Sequence, residues 1–213
     1  MILASKSPQR KALLKALGID FDVLLPDYGE EDIPGEPPAG LVERYSRGKA
    51  LSVLPRISAT SKKSAVLGVD TMVVVDGKAL GKAADEDEAL SFVSLLSGRT
   101  HQVYSGITLI MPTQGSAIDG TPVEKGFAEY TGHAVTEVVF REISRSELEL
   151  YVSLGEWRGR AGAYAIQGRA SAFVEEVRGD YANVVGLPVP LLISGLNKYG
   201  LWPPDSWKGK PET

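Results

Sequence analysis

The chain has 213 residues, enough for one large domain or two small lobes, and 43% of them are hydrophobic, enough for a sizeable core. A net charge of -4 excludes the basic field that holds a nucleic-acid polymer, and no apolar run approaches the length of a membrane helix. With no cysteine and no signal-peptide pattern at the start, disulfide and thiolate chemistry are excluded and a cytoplasmic setting is expected.

The chain opens on Ile2-Leu3-Ala4-Ser5, a short apolar run, then Ser7, Pro8, Arg10 and Lys11 lead into Ala12-Leu13-Leu14-Lys15-Ala16-Leu17-Gly18. This spacing predicts a buried strand, a tight turn and a helix. Ser7 is the N-cap, Pro8 the first helical residue and Gly18 the stop. Such a turn aims free N–H groups and the positive end of a helix dipole at one point, a ready anion site. Two hydroxyls and two cationic side chains lie beside it. The same pattern describes an ordinary capped helix, and phosphate binding becomes the better reading only where other segments agree.

Residues 21–25 read as a second strand, followed by an acidic, proline-bearing loop with Glu30, Glu31 and Asp32. Helical spacing over 41–54 ends at Pro55. The apolar run 65–69 predicts a strand covered on both faces. Residues 72–75 and 78–80 flank Asp76-Gly77, a strong hairpin signal. A helix with an acidic first turn is expected over 85–96. Two β segments, 101–110 and 124–140, enclose a Gly-, Pro-, Thr- and Ser-rich stretch, 111–123, that reads as a surface hairpin loop. Ser144 and Glu147 form a capping box at the head of a helix over 144–154. A strand over 171–177 and a closing helix over 190–198 follow. Residues 1–201 are therefore expected to form a single domain, and 202–213 a loosely held tail. Strands and helices alternate early and two long β segments then lie adjacent, so the fold expected is α/β, a mixed sheet flanked by helices.

Several residues could carry chemistry. Asp70, in Gly68-Val69-Asp70-Thr71, ends a buried strand where open α/β sheets place ligands. It could hold a divalent ion or take a proton from water. It could equally be a turn aspartate that starts the hairpin. Lys82 follows the hairpin and Lys49 lies in the second helix; each is also readable as a solvated surface charge, as are Glu30 and Glu31. The run 155–168 is rich in glycine, so a backbone there can approach a ligand closely. It contains Gln167, whose amide donates and accepts and so suits a base edge. His101 and His133 have no metal-ligand spacing and read as structural or exposed. No serine elbow, Walker loop or dinucleotide fingerprint is present.

Taken together the segments resemble the Maf family of nucleoside triphosphate pyrophosphatases, the septum-formation-inhibitor-like proteins. Leu3-Ala4-Ser5-Lys6-Ser7-Pro8-Gln9-Arg10 looks like the family's opening motif, and Gly68-Val69-Asp70-Thr71 like its central Gly-Ala-Asp-Thr. Leu96-Ser97-Gly98-Arg99, residues 160–168 and Asn183-Val184-Val185-Gly186-Leu187-Pro188 look like three further motifs in the family's order.

The resemblance implies a fold related to inosine triphosphate pyrophosphatases, with two lobes around a cleft. It implies hydrolysis of a nucleoside triphosphate to the monophosphate and diphosphate with Mg2+ or Mn2+. It makes Asp70 the proton acceptor and Glu30, with Asp70, the metal site. Ser5, Ser7 and Arg10 become a phosphate-binding turn, and Lys49 and Lys82 phosphate contacts. Thr71 and Gln167 match positions that favour dTTP and UTP in one subfamily. Gln9 departs from that pattern, which has arginine there, while a sister group preferring methylated GTP has tryptophan. Arg160 replaces a usual lysine and keeps the charge. A homodimer and a part in cell-division arrest are further implications. The rival reading is a nucleotide-binding regulator of septum formation without turnover; an intact Asp70 and lysine set argue against it, because binding alone needs no general base.

Overall fold

The computed structural model describes residues 1–31, 33–57, 64–112 and 127–207. Ile2–Ala4 forms β1, Pro8–Ala16 forms α1 and the short segment Asp22–Val23 forms β2. Pro38–Val53 is α2. Val66–Val75 (β3) and Lys78–Leu80 (β4) make a hairpin whose turn residues, Asp76 and Gly77, both take positive φ, 48° and 73°. That is the geometry the Asp-Gly pair favours. Glu86–Leu96 is α3, capped by Asp85, whose carboxylate accepts from the Glu88 amide. Thr100–Pro112 (β5) and Phe127–Phe140 (β6) are the long antiparallel pair. Most of the predicted loop 111–123 lies outside the described residues. Arg145–Ser153 (α4) starts at the Ser144–Glu147 capping box. Val174–Arg178 (β7), Tyr181–Val185 (α5) and Val189–Lys198 (α6) complete the chain of elements.

The seven strands form one mixed sheet in the order β2-β1-β3-β5-β6-β7, with β4 also on β3. β1 pairs in parallel with β2 and β3, and the other pairings are antiparallel. Alternation along the strands sorts the core. Leu3, Leu67 and Val69 pack with Leu14, Leu187 and Leu192 beneath α1 and α6. Ile2, Ala4 and Val66 pack with Ala50 and Val53 of α2 on the opposite face. A larger cluster joins the far ends of β3, β5 and β6 to α3 and α4 around Leu96, Phe140 and Tyr151.

Two features of this frame create a site. First, the edge of β3 opposite β5 is covered by β1 over Val66, Leu67 and Gly68, and by β4 over Val73, Val74 and Val75. Residues 69–72 between them have no strand partner on that edge among the described residues. Second, α2 lies directly on the sheet backbone. A Cβ at Gly68 would stand 2.0 Å from the Ser46 carbonyl oxygen, and one at Gly106 2.2 Å from that of Val42. Only glycine tolerates this approach.

The sequence placed the last strand too early. Residues 169–173 form a 3-10 turn in which the Ser171 amide donates to Gly168 O, and the strand starts at Val174. Beyond α6, Trp202 stacks edge-on against Trp207 and Ser206 Oγ donates to Gly18 O at 2.7 Å. No helix among the described residues is long and apolar enough to cross a membrane.

Candidate active site

A cleft of about 860 Å³ opens at the gap in the β3 edge. Its first wall is the turn between β1 and α1. Ser7 caps α1 by accepting the Arg10 amide at 3.4 Å, and Ser5 Oγ accepts the Ser7 amide at 3.2 Å. Gln9 folds back on this turn, its Oε1 accepting the Ser7 hydroxyl at 3.0 Å.

Arg10 fills the gap itself. Its Nη1 donates to Val69 O at 2.9 Å and to Ser5 Oγ at 3.0 Å. Nη2 donates to Thr71 Oγ1 at 3.0 Å, and Nε to Gly186 O at 2.9 Å. Four of the five guanidinium N–H groups are thus engaged by the protein. Burial lowers the Arg10 pKa from its ordinary value, against the opposing pull of Asp70 and Glu30. Thr71 Oγ1 also shares a hydrogen bond with Ser105 Oγ at 2.9 Å.

The second wall is α2. Asp70 follows Val66 and Gly68 on the α2 face of β3, and Lys49 reaches it from one turn along the helix. Lys49 Nζ lies 2.5 Å from Asp70 Oδ1 and 2.6 Å from Glu30 Oε1. Glu30 arrives on the acidic loop, which is pinned where the Tyr28 ring lies against Gly48, so close that a Cβ there would stand 2.2 Å from it. Partial burial opposes ionisation of Glu30. The hydrogen bond and charge of Lys49, with Lys82 and Arg10 behind, outweigh it and hold the carboxyl below its ordinary value. Lys82 is shifted below the ordinary lysine value by its partial burial, then by the charge of Lys49. It makes no ion pair among the described residues.

The third wall is the glycine-rich loop. Ala161 bridges Lys82, and the Gly162 amide donates to Gly81 O at 2.9 Å. This ties the loop to the end of β4 and places Arg160, Tyr164 and Gln167 on the cleft. Tyr164 is backed by buried His101, whose Nε2 lies 2.9 Å from the hydroxyl. Burial lowers the His101 pKa to about 4. His133 is instead on the surface, paired with Glu43 at 2.6 Å.

All ten residues given a role in the sequence analysis therefore meet one cleft: Ser5, Ser7, Gln9, Arg10, Glu30, Lys49, Asp70, Thr71 and Lys82 line it, and Gln167 joins them from the third wall. Between Glu30 and Glu31, Glu30 is the one facing Lys49; the Glu31 carbonyl is taken by Arg44 at 2.7 Å. Sequence reading missed Gly186, whose carbonyl holds Arg10, and Arg158 on the rim. A second cation two residues before Arg160 was the only local sign of Arg158.

Two carboxylates converging on one cationic centre are a hard-oxygen donor set. No group of three or more His, Asp or Glu suited to a metal is found among the described residues. Magnesium commonly takes one or two carboxylates and completes its shell with water and substrate phosphates, so Glu30 and Asp70 fit it.

A mixed sheet with a phosphate-type turn, two lysines and an acidic pair at a split strand edge defines a polyanion-binding α/β protein. Residues 1–199 match the family described as Maf-like protein, and the chain belongs to it. A relative from Symbiobacterium thermophilum, named dTTP/UTP pyrophosphatase, is 42% identical over 200 residues, covering 94% of each chain. One of the same name from Chelativorans sp. is 41% identical over 211 residues, covering 95% of each. A third, from Desulforamulus reducens, is 36% identical over 201 residues, covering 94% of this chain and 97% of the relative.

Proposed function

We propose that the protein is a nucleoside triphosphate pyrophosphatase, acting on dTTP, UTP or closely modified pyrimidine nucleotides to give the monophosphate and diphosphate. The observation that carries this is Asp70 at the open edge of β3, joined to Glu30 through Lys49. The relatives' name supports the pyrimidine preference. In this reading Asp70 accepts the proton of the attacking water. Lys49 holds Oδ1, and no hydrogen bond to Oδ2 is formed among the described residues, which leaves that oxygen for the water. Lys49 and Lys82 stabilise the negative charge that builds on the phosphates and the departing diphosphate. The amides of the Ser5–Ser7 turn and the start of α1 add a fixed dipole. Gln167 and Thr71 meet the base. Lewis-acid polarisation of the phosphoryl group is what Mg2+ or Mn2+ would supply when held by Glu30 and Asp70. Action as a homodimer on the cytoplasmic nucleotide pool, and a part in cell-division arrest, belong to the same reading and are supported by the family resemblance.

Product analysis tests it. Diphosphate should appear in step with the monophosphate, in the presence of Mg2+ or Mn2+. Asp70→Asn keeps the shape and removes the basicity, and should lower kcat by about 10²-fold or more. Orthophosphate as first product, no turnover of any nucleotide, or near-normal turnover by a folded Asp70→Asn protein would each overturn the assignment.

A further inference from the structure

Gln167 is exposed on the cleft and belongs to no strand or helix. Two brackets nevertheless fix the stretch that carries it. On one side the Ala165 amide donates to Tyr151 Oη of α4 at 3.2 Å, and Ile166 is buried. On the other the Arg169 amide donates to Glu156 Oε1 at 2.8 Å, with Arg169 Nη1 3.4 Å from Oε2. Between them the Gly168 amide donates to Ala165 O at 2.9 Å and closes the turn around Gln167.

Glu156 is the unusual member. It does not line the cleft, and its charged side chain is only 18% exposed. It packs on Gly168 so closely that a Cβ there would stand 2.3 Å from Oε1 and 2.5 Å from Oε2. A carboxylate accepting an amide N–H is a charge-assisted bond, stronger than a neutral one. The contact is therefore a built clamp on the backbone of residues 168 and 169, one residue from the amide that faces the base.

We infer that Glu156 is a positioning residue for base selection. Its carboxylate holds the turn of residues 165–169 and so aims the Gln167 amide. An amide carries a donor and an acceptor on one flat group, and discriminates between bases only while its orientation is held. Released, it rotates and pairs equally well with a reversed donor–acceptor pattern. The inference rests on the reading of Gln167 as the base-contacting group.

The test compares kcat/KM for dTTP, UTP, CTP and dGTP by diphosphate release, with circular dichroism and Tm as folding controls. Gln167→Ala should reduce the dTTP-to-CTP ratio. Glu156→Ala should reduce it about fivefold or more, through KM for dTTP rather than kcat. Glu156→Gln retains the Oε1 acceptor and should restore the ratio. The double variant Glu156→Ala/Gln167→Ala should lose little beyond Gln167→Ala alone, the non-additivity expected of a residue acting through another. If Glu156→Ala does not fold, Gly168→Ala, which displaces the same carboxylate, carries the same expectation. A wild-type ratio in folded Glu156→Ala while Gln167→Ala shifts it overturns the inference. So does a fall in Tm and in activity on all four nucleotides equally, the mark of a simple brace. An unmoved ratio in Gln167→Ala overturns the base reading itself, and the inference with it.

Discussion

The family resemblance sets Gln9 against an arginine of the dTTP- and UTP-preferring subfamily, and its side chain turns back to the Ser7 hydroxyl at 3.0 Å. A neutral amide lacks the fixed charge and fork of a guanidinium. Gln9→Arg should therefore raise kcat/KM for dTTP and UTP by about ten- to a hundredfold relative to CTP and purines, the scale of a charge-assisted contact of about 1.5–3 kcal/mol. Unchanged ratios across the nucleotide panel would show that position 9 does not touch the substrate. His101 supports a second expectation. It is 1% exposed, its Nδ1 has no hydrogen-bond partner, and burial lowers its pKa from 6.5 to about 4. The folded state thus holds a neutral imidazole. Its contribution is fully present above pH 6.5 and is lost as pH falls towards 4, where the unfolded chain binds a proton that the folded one refuses. The loss amounts to about 3 kcal/mol. Urea unfolding of wild type and His101→Phe across this window should show the wild-type curve sloping more steeply with pH.

At the scale of elements, the seat of α2 decides whether Lys49 meets Asp70. Gly68→Ala would set a methyl group 2.0 Å from the Ser46 carbonyl and 2.9 Å from the Ala50 amide nitrogen, both backbone atoms that move only with the helix. Destabilisation of about 1–3 kcal/mol is expected from such overpacking, with a loss of kcat greater than the unfolded fraction explains. Denaturant midpoints and kcat measured on the same preparation check both parts. The elements legible in the sequence are those with local chemistry: the Ser7-Pro8 helix start, the Asp76-Gly77 hairpin and the Ser144–Glu147 capping box. Those that were not depend on distant partners. α5 has five residues, and its Asn183 Nδ2 donates to Val103 O and Thr136 Oγ1 from β5 and β6. β7 begins late because the turn of residues 169–173 buries Ala170 and Phe173 first. The site was legible as residue types. The engagement of Arg10 by Val69, Thr71 and Gly186 was not, since no local pattern announces a carbonyl 176 residues away.

Across the whole molecule, charge is divided against its sum. The chain carries -4, yet six cationic side chains line the cleft against two carboxylates: Lys6, Arg10, Lys49, Lys82, Arg158 and Arg160 against Glu30 and Asp70. A cleft of one sign focuses its field and raises encounter rates with a polyanion. Raising ionic strength from 0.01 M to 0.15 M shortens the Debye length from about 30 Å to about 8 Å. Second-order kcat/KM should fall several-fold over that range at constant free Mg2+, with kcat nearly level; a flat kcat/KM would show that the rim charges do not steer substrate. The Arg10 network adds a condition in time. The guanidinium joins residue 5 to residue 186, far apart in the chain, across the bare stretch of β3. A polypeptide still leaving the ribosome can form β1, α1 and the hairpin, but it lacks the Gly186 carbonyl that completes the Arg10 network. The wall of the cleft at Arg10 is therefore complete only once residue 186 has joined residues 5–10, however early the first elements form.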